Sequence, residues 1–338
     1  MSANHKRIFV TGATGLVGSH VVEEALARGD RVRALVRSTS DTRWLDRCGI
    51  EQVVGDLADA QALRAGVAGA EWVINCGARV GDWGPPEEFR RLNVVAFDLL
   101  LEAAAAAEVK RLVHVSSLGV YEARDHFGTD ETTPPAARAL DGYTRSKVEA
   151  ENLALRWWRE RGLPVTIVRP GFVYGPRDRT VLPKLLAALR SGRFAYFGSG
   201  DQALNCIFVK NLVHGIFLAA ESRAAVGEVF NLTDGCHVSK RDFVGRVAEF
   251  AGLPPPRMHL PRWLAWFLAV LMERRAIRRG ATEPPLINRA RYKFLGLHLD
   301  YSIAKAERLL GYRPLHSPAD GLAASVADFV AKPTVRAA

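Results

Sequence analysis

An α/β fold is predicted for this chain of 338 residues: a doubly wound parallel sheet, followed by a smaller C-terminal region that caps it. Three observations carry the prediction. Short apolar runs alternate with helical patterns through the first half, as in a parallel sheet covered by helices on both faces. The first such run, from Ile8, feeds Gly12, Gly15 and Gly18 and then an apolar-periodic segment, so strand, tight turn and helix follow one another directly. After Pro170 the regular alternation fades, and glycine- and proline-rich turns separate the remaining elements.

In order, strands are expected over 7–11, 31–36, 51–55, 72–76, 111–116 and 165–169, with helices over 16–28, 59–68, 89–107 and 143–161. Gly29 and Gly162 stand just past two of these helices, where a left-handed cap residue is wanted. The loops 78–88 and 120–142 lie beyond strand carboxyl ends, where sites in such sheets form. Further elements are expected near 181–191, 212–220, 228–232, 240–251, 302–310 and 318–330, with one late strand returning to the main sheet. The residues from Lys332 should fray.

A hydrophobic share of 48% with 24% charged residues is ordinary for a soluble globular protein. The net charge of +10 comes mainly from arginine, and basic runs interleaved with aromatics are confined to one late region, so nucleic-acid binding is not read from it. Cys48, Cys76, Cys206 and Cys236 form no CxxC pair, no metal site is expected, and reduced thiols fit a cytoplasmic protein. A short polar lead, Met1 to Arg7, runs straight into the first strand with no signal segment.

The glycine turn admits positive φ and lets a pyrophosphate approach the backbone. The helix start beyond it offers unpaired N–H groups and the positive end of a dipole. A dinucleotide is the expected ligand, and the sheet is of the Rossmann type. Arg37 ends the second strand, where a carboxylate would bind a ribose diol and repel a 2′-phosphate. With no acid until Asp41, NADP(H) is favoured over NAD(H); the plainer reading of Arg37 is a solvated surface residue. Asp56, after the third strand, is placed either to reach the adenine edge or to cap a helix.

Tyr143 and Lys147 are four apart in a helical stretch and project from one face. A phenol titrates near pH ~10, and a neighbouring ammonium is expected to lower that value. The same lysine can hydrogen-bond the nicotinamide ribose. Ser117, at a strand's carboxyl end, offers a hydroxyl to hold a substrate oxygen while Tyr143 moves its proton.

The segments TGATGLVG, GDLAD, HVSSLGVY, YTRSK and RPGFVYGP, with the tail YSIAKAERLLGYRP, resemble the extended short-chain dehydrogenase/reductase superfamily in matching order along nearly the whole chain. The resemblance implies Ser117 (rather than Ser116), Tyr143 and Lys147 as a triad, with Asn93 as a helper. It implies a cofactor site over Gly12, Thr14, Gly15, Leu16, Val17, Gly18, Arg37, Asp56, Leu57, Gly77, Ala78, Ser116, Tyr143, Lys147, Pro170, Gly171 and Val173. It also implies a homodimer through helices 89–107 and 143–161. The chain then divides into an NADP(H)-binding domain with the catalytic residues over 1–170 and a mainly substrate-binding region over 171–331.

Leu118 and Gly119 stand where sugar dehydratases of the superfamily carry an acidic pair, and Phe172 where sugar-nucleotide epimerases usually carry asparagine. Tyr143 and Lys147 are both kept, unlike in redox-inactive relatives. Within the superfamily the chain resembles the 3β-hydroxysteroid and sterol-4-carboxylate dehydrogenase branch, through the segment Gly81 to Gly84, RPGFVYGP and a late arginine-rich insert. It also resembles bacterial 2-alkyl-3-oxoalkanoate reductases and plant-type flavonol reductases. Interconversion of a secondary alcohol and a ketone on an apolar, steroid- or terpenoid-like substrate is implied, with Trp83, Ser117 and Phe172 as substrate contacts. The competing readings are a sugar or hopanoid-associated epimerase, a reductase of 3-oxo acids or other small carbonyls, an NADP(H) sensor and a membrane scaffold.

The run from Trp263 to Met272 is uninterruptedly apolar and precedes Arg274, Arg275, Arg278 and Arg279. It is about half the ~20 residues that span a bilayer. It is read as a buried helix of the cap ahead of a helix lying in a membrane interface. Arg289 and Arg291 face either a substrate carboxylate or solvent.

Overall fold

β1 (Arg7–Thr11) buries every residue after Arg7, as a strand covered on both faces must. Gly12, at φ 70°, turns the chain into α1 (Leu16–Ala27). The computed structural model describes residues 5–331, so the expectation about Lys332 onward lies outside the described residues. β2 (Arg31–Val36), α2 (Arg43–Arg47), β3 (Glu51–Val54) and α3 (Ala60–Val67) extend the sheet to one side of β1. The chain then crosses to the other side with β4 (Trp72–Asn75), α4 (Pro86–Arg90), α5 (Ala96–Ala106) and β5 (Arg111–Val115). β6 (His126–Thr129), α6 (Gly142–Arg161) and β7 (Val165–Pro170) follow.

Beyond Pro170 come β8 (Phe172–Tyr174), α7 (Leu182–Arg190), β9 (Ala195–Phe197), β10 (Cys206–Phe208), α8 (Val209–Glu221) and β11 (Val229–Leu232). The chain continues through α9 (Lys240–Phe250), β12 (Met258–Leu260), α10 (Arg262–Arg278), α11 (Arg289–Gly296), β13 (Leu299–Tyr301), α12 (Ala304–Leu310) and α13 (Pro318–Ala331). The main sheet has the order β11-β7-β5-β4-β1-β2-β3. All of its pairings are parallel. The order reverses between β1 and β4, which opens a crevice at their carboxyl ends.

Each face of the sheet has its own core. Val21 of α1, Ile216 of α8 and Ala306 of α12 pack one face; Leu63 of α3, Leu100 of α5 and Leu153 of α6 pack the other. The late strand β11 and helix α8 thus belong to the main sheet although they lie beyond Pro170. A further cluster, with Leu186, Phe208, Phe243 and Leu322, forms the cap.

Two expectations need correction. The helix expected over 89–107 is broken: α4 gives way to a π-turn over Arg91–Val95, which contains Asn93, before α5 resumes. Such turns insert one extra residue and re-aim the side chains around them. The loop 120–142 is not bare, because β6 pairs in parallel with β13. Leu118, Val120 and Tyr121 pack there with Leu297, Leu299 and Tyr301, fastening the segment after β5 to the end of the cap.

Candidate active site

The turn after β1 is a cradle that side chains would fill. A Cβ on Gly12 would stand 2.8 Å from the Cys76 carbonyl carbon and the Gly77 nitrogen, and one on Gly18 would stand 2.2 Å from the Gly12 oxygen. Gly15 caps α1 without a side chain, so the first-turn N–H groups, from Leu16, Val17 and Gly18, are left for an anion. Thr14 lies partly exposed on the rim. The Thr11 hydroxyl donates to Asn75 Oδ1 at 2.6 Å and accepts from Gly77 N at 3.2 Å, pinning the ends of β1 and β4 together. Leu57 approaches Gly77 from β3's side, with its Cδ1 3.1 Å from where a Cβ would sit; Ala78 follows directly. These residues fit a pyrophosphate and the groove of a dinucleotide.

At the end of β2 the Arg37 side chain is exposed and makes no ion pair among the described residues. The nearest acid in sequence, Asp41, is held by Arg43 at 2.8 Å and lies 3.9 Å from Arg179. The hydrogen bonds from Arg43 keep its carboxyl well below the usual carboxylate range. Asp56 accepts from Ala58 N at 2.7 Å within its own turn. The helix cap is Asp59 instead, accepting from Gln61 N and Ala62 N at 3.0 Å.

Asp141 caps α6 by accepting from Thr144 N at 2.7 Å, and so sets where that helix starts. Tyr143 and Lys147 stand one turn apart on it. Lys147 is buried and donates to the Val115 carbonyl at 2.8 Å. Burial pushes its ammonium down to about 8, against the opposing pull of Glu151 and Cys76. The phenol of Tyr143 meets Ser117, whose hydroxyl favours the phenolate, but burial outweighs it and the phenol is pushed up to about 12. The expected lowering by the lysine is therefore absent. Lys147 spends its ammonium on Val115, and desolvation decides. Ser117 Oγ accepts from Gly119 N at 3.0 Å, capping the short turn Leu118–Val120.

Other expected residues sit differently. The Ser116 hydroxyl donates to Glu151 at 2.5 Å, so only its backbone is left for a cofactor. Asn93 is buried; it accepts from Arg79 N at 2.7 Å and donates to Arg79 O and Ser146 Oγ, both at 2.9 Å. Ser146 in turn donates to Tyr143 O at 2.8 Å, so Asn93 braces the start of α6 and reaches neither the phenol nor the ammonium. Pro170, Gly171 and Val173 form the passage from β7 into β8. Trp83 Nε1 donates to Ala281 O at 2.9 Å, tying the 78–85 loop to the cap. Phe172 packs on Phe243 and Phe294, with ring centroids 5.7 and 4.8 Å away.

Arg289 pairs with Glu273 at 2.6 Å and Arg291 with Asp82 at 2.5 Å, so both are engaged inside the protein rather than free for a carboxylate or for solvent. The apolar run is the body of α10. It buries only Ala265, Ala269 and Ala276 and exposes Trp263 (72%), Phe267 (58%) and Leu271 (52%). The expectation of a buried cap helix is thus half right. Sequence reasoning missed Glu151, although Tyr143, Lys147 and Glu151 recur every four residues along one face of α6. It also missed Lys293, for which no local pattern exists.

A family model for the NAD dependent epimerase/dehydratase family matches residues 8–233. The chain is 34% identical to a 4-hydroxy-2-methyl-3-oxo-4-farnesyl-3,4-dihydroquinoline-1-oxide ketoreductase of Stigmatella aurantiaca, over 90% of this chain and 91% of that one. It is 31% identical to the sterol-4-alpha-carboxylate 3-dehydrogenase, decarboxylating, of Bos taurus, over 96% and 92% of the two chains. Among solved structures, that of gox2253 superposes with a TM-score of 0.81 at 32% identity, covering 97% of this chain and 98% of the other.

Proposed function

Because the chain belongs to the NAD-dependent epimerase/dehydratase family of extended short-chain dehydrogenase/reductases, we propose that it is an NAD(P)(H)-dependent oxidoreductase interconverting a ketone and a secondary alcohol on an apolar, steroid- or terpenoid-like substrate. The observation that carries this reading is the meeting of the Tyr143 phenol with Ser117 above the buried Lys147, next to the glycine cradle. A nicotinamide dinucleotide bound there supplies or accepts the hydride. For reduction, the Ser117 hydroxyl holds the ketone oxygen and Tyr143, protonated at neutral pH, gives it a proton. Lys147, one helical turn away, would hold the nicotinamide ribose through its ammonium. The names of the relatives given above specify a sterol-4-alpha-carboxylate and a farnesyl-bearing 3-oxo ring as what those proteins act on. The half-buried rings of Phe172 and Phe294, 4.8 Å apart, suit such a ligand.

The test is consumption of NADPH, one equivalent per alcohol formed, with a panel of a 3-oxosteroid, a 2-alkyl-3-oxo acid and a small ketone. The 3-oxosteroid is expected to turn over fastest. Epimerisation of a sugar nucleotide without net redox would overturn the reading. The region 171–331 is read as mainly substrate-binding, and the outer faces of α5 and α6 as the surface of a homodimer, which doubles the mass of 37.1 kDa in light scattering.

NADP(H) is the proposed cofactor, because the unpaired Arg37 faces no free carboxylate at the end of β2. Losing a charge-assisted hydrogen bond costs about 1.5–3 kcal/mol. Arg37→Ala is therefore expected to raise the Kd for NADPH about 10- to 100-fold and leave that for NADH unchanged, as cofactor fluorescence titration would read.

No helix among the described residues is long and apolar enough to cross a membrane. The protein is read as cytoplasmic, with α10 as a lid whose aromatic outer face touches a membrane interface; exposed Arg274, Arg275, Arg278 and Arg279 lie near anionic headgroups. Trp263→Glu with Phe267→Glu should weaken co-sedimentation with phosphatidylserine-containing vesicles by about tenfold or more. Equal sedimentation of both proteins would sink this reading.

A further inference from the structure

One buried cation outside the triad lies against the turn that carries Ser117. Lys293, on α11, is 9% exposed. Its Nζ donates to the Gly119 carbonyl at 2.7 Å and to the Tyr121 carbonyl at 2.6 Å. The same turn is fastened from within, since Gly119 N donates to Ser117 Oγ at 3.0 Å. Residue 119 is therefore gripped on both sides, by Ser117 through its nitrogen and by Lys293 through its oxygen. The turn leaves the sheet here, so no strand neighbour supplies donors to these carbonyls. Buried acceptors left without partners are costly, and an ammonium from the cap satisfies two of them.

Two carbonyls hold that ammonium in place. Burial pushes it down to about 8, and Asp141, the residue that caps the Tyr143 helix, opposes that pull. Burial lowers the pKa of His126 on β6, and the charges of Arg124 and the same lysine add to that lowering. Lys293 thus ties the cap helix α11 to the Ser117 turn. An apolar side chain of similar length would fill the space but would leave Gly119 O and Tyr121 O without donors.

We propose that Lys293 is a positioning residue of this enzyme, holding the turn that aims the Ser117 hydroxyl at the phenol of Tyr143. The inference rests on the role given to Ser117 above. It assigns to the cap a part in the chemistry besides covering the substrate: α11 must be docked for Ser117 to be aimed.

A double-mutant cycle separates this role from general support. Turnover is measured with NADPH and the panel ketone that the unaltered protein reduces fastest, in Lys293→Met, Ser117→Ala and the double variant. Small misplacements of catalytic groups cost up to about 100-fold. Lys293→Met is expected to lower kcat about 10- to 100-fold with the KM for NADPH held, and to cost nothing further once Ser117 is alanine. Lys293→Arg, which keeps the donors, should recover part of the rate. Amide hydrogen exchange over 118–121 should quicken in Lys293→Met without any substrate present.

An equal loss in both backgrounds would make Lys293 a support of the fold and overturn the proposal. So would unchanged turnover in Lys293→Met while Ser117→Ala is impaired. Undiminished turnover in Ser117→Ala would instead overturn the role of Ser117 itself, and the proposal with it. If Lys293→Met does not fold, Lys293→Leu, which likewise has no donor, is carried through the same cycle with the same criteria.

Discussion

Tyr143→Phe is expected to cut turnover by about 10²–10⁴-fold while NADPH still binds. Phenylalanine keeps the ring, which meets Phe89 edge to face at 6.4 Å, and keeps the start of α6. It removes only the proton donor. The pH dependence carries the same signature. Reduction needs a protonated phenol beside a charged lysine, and burial pushes the phenol up to about 12 and Lys147 down to about 8. As pH rises, the ammonium is lost first, so reduction should fall off above about pH 8 before the phenol itself titrates. Cofactor fluorescence and steady-state rates from about pH 6 to about pH 10, the window that the ordinary histidine and lysine values bracket, check both parts. Turnover within about tenfold of the unaltered protein, against the 10²-fold minimum for proton transfer, would remove Tyr143 from the mechanism.

The parts of this molecule that could be read from its residues are those whose cause is local. Gly12 and Gly15 follow an apolar run and precede a helix whose first turn holds Gly18, and the structure turns there. Tyr143 and Lys147 share a helix face because four residues make about one turn. What could not be read depends on partners far away in sequence. β6, of four residues, and β13, of three, have no periodicity to show, and they meet across the whole second half of the chain. Arg291 looks like a free cation until Asp82 arrives from the 78–85 loop. The phenol's upward shift has the same origin. A neighbouring lysine is visible in a sequence, but burial, and the Val115 carbonyl that occupies that lysine, are not.

Beneath the triad lies a buried charge network whose disruption should be the costliest structural change near the site. Glu151 of α6 and Arg169 of β7 are paired at 2.6 Å with side chains only 2% and 5% exposed. Ser116 donates to the same carboxylate at 2.5 Å, and Arg169 Nη1 donates to the Tyr121 hydroxyl at 2.8 Å. Helix, sheet and the segment after β5 are thus joined at one carboxylate. Glu151→Ala strands a guanidinium without its counter-charge and should cost about 3–5 kcal/mol of stability, read from urea unfolding. Replacing both partners by apolar residues, as Glu151→Leu with Arg169→Met, should recover much of that loss, because the penalty belongs to the unpaired charge. Glu151 also holds the Lys147 ammonium up against burial. Its removal lowers that value further, and the alkaline fall in reduction should move to lower pH. A single variant that loses under about 1 kcal/mol, the level of an exposed pair, would show that the network is dispensable. Stability lost without any movement of the pH profile would instead separate the network from Lys147 and leave it a purely structural tie between α6 and the sheet.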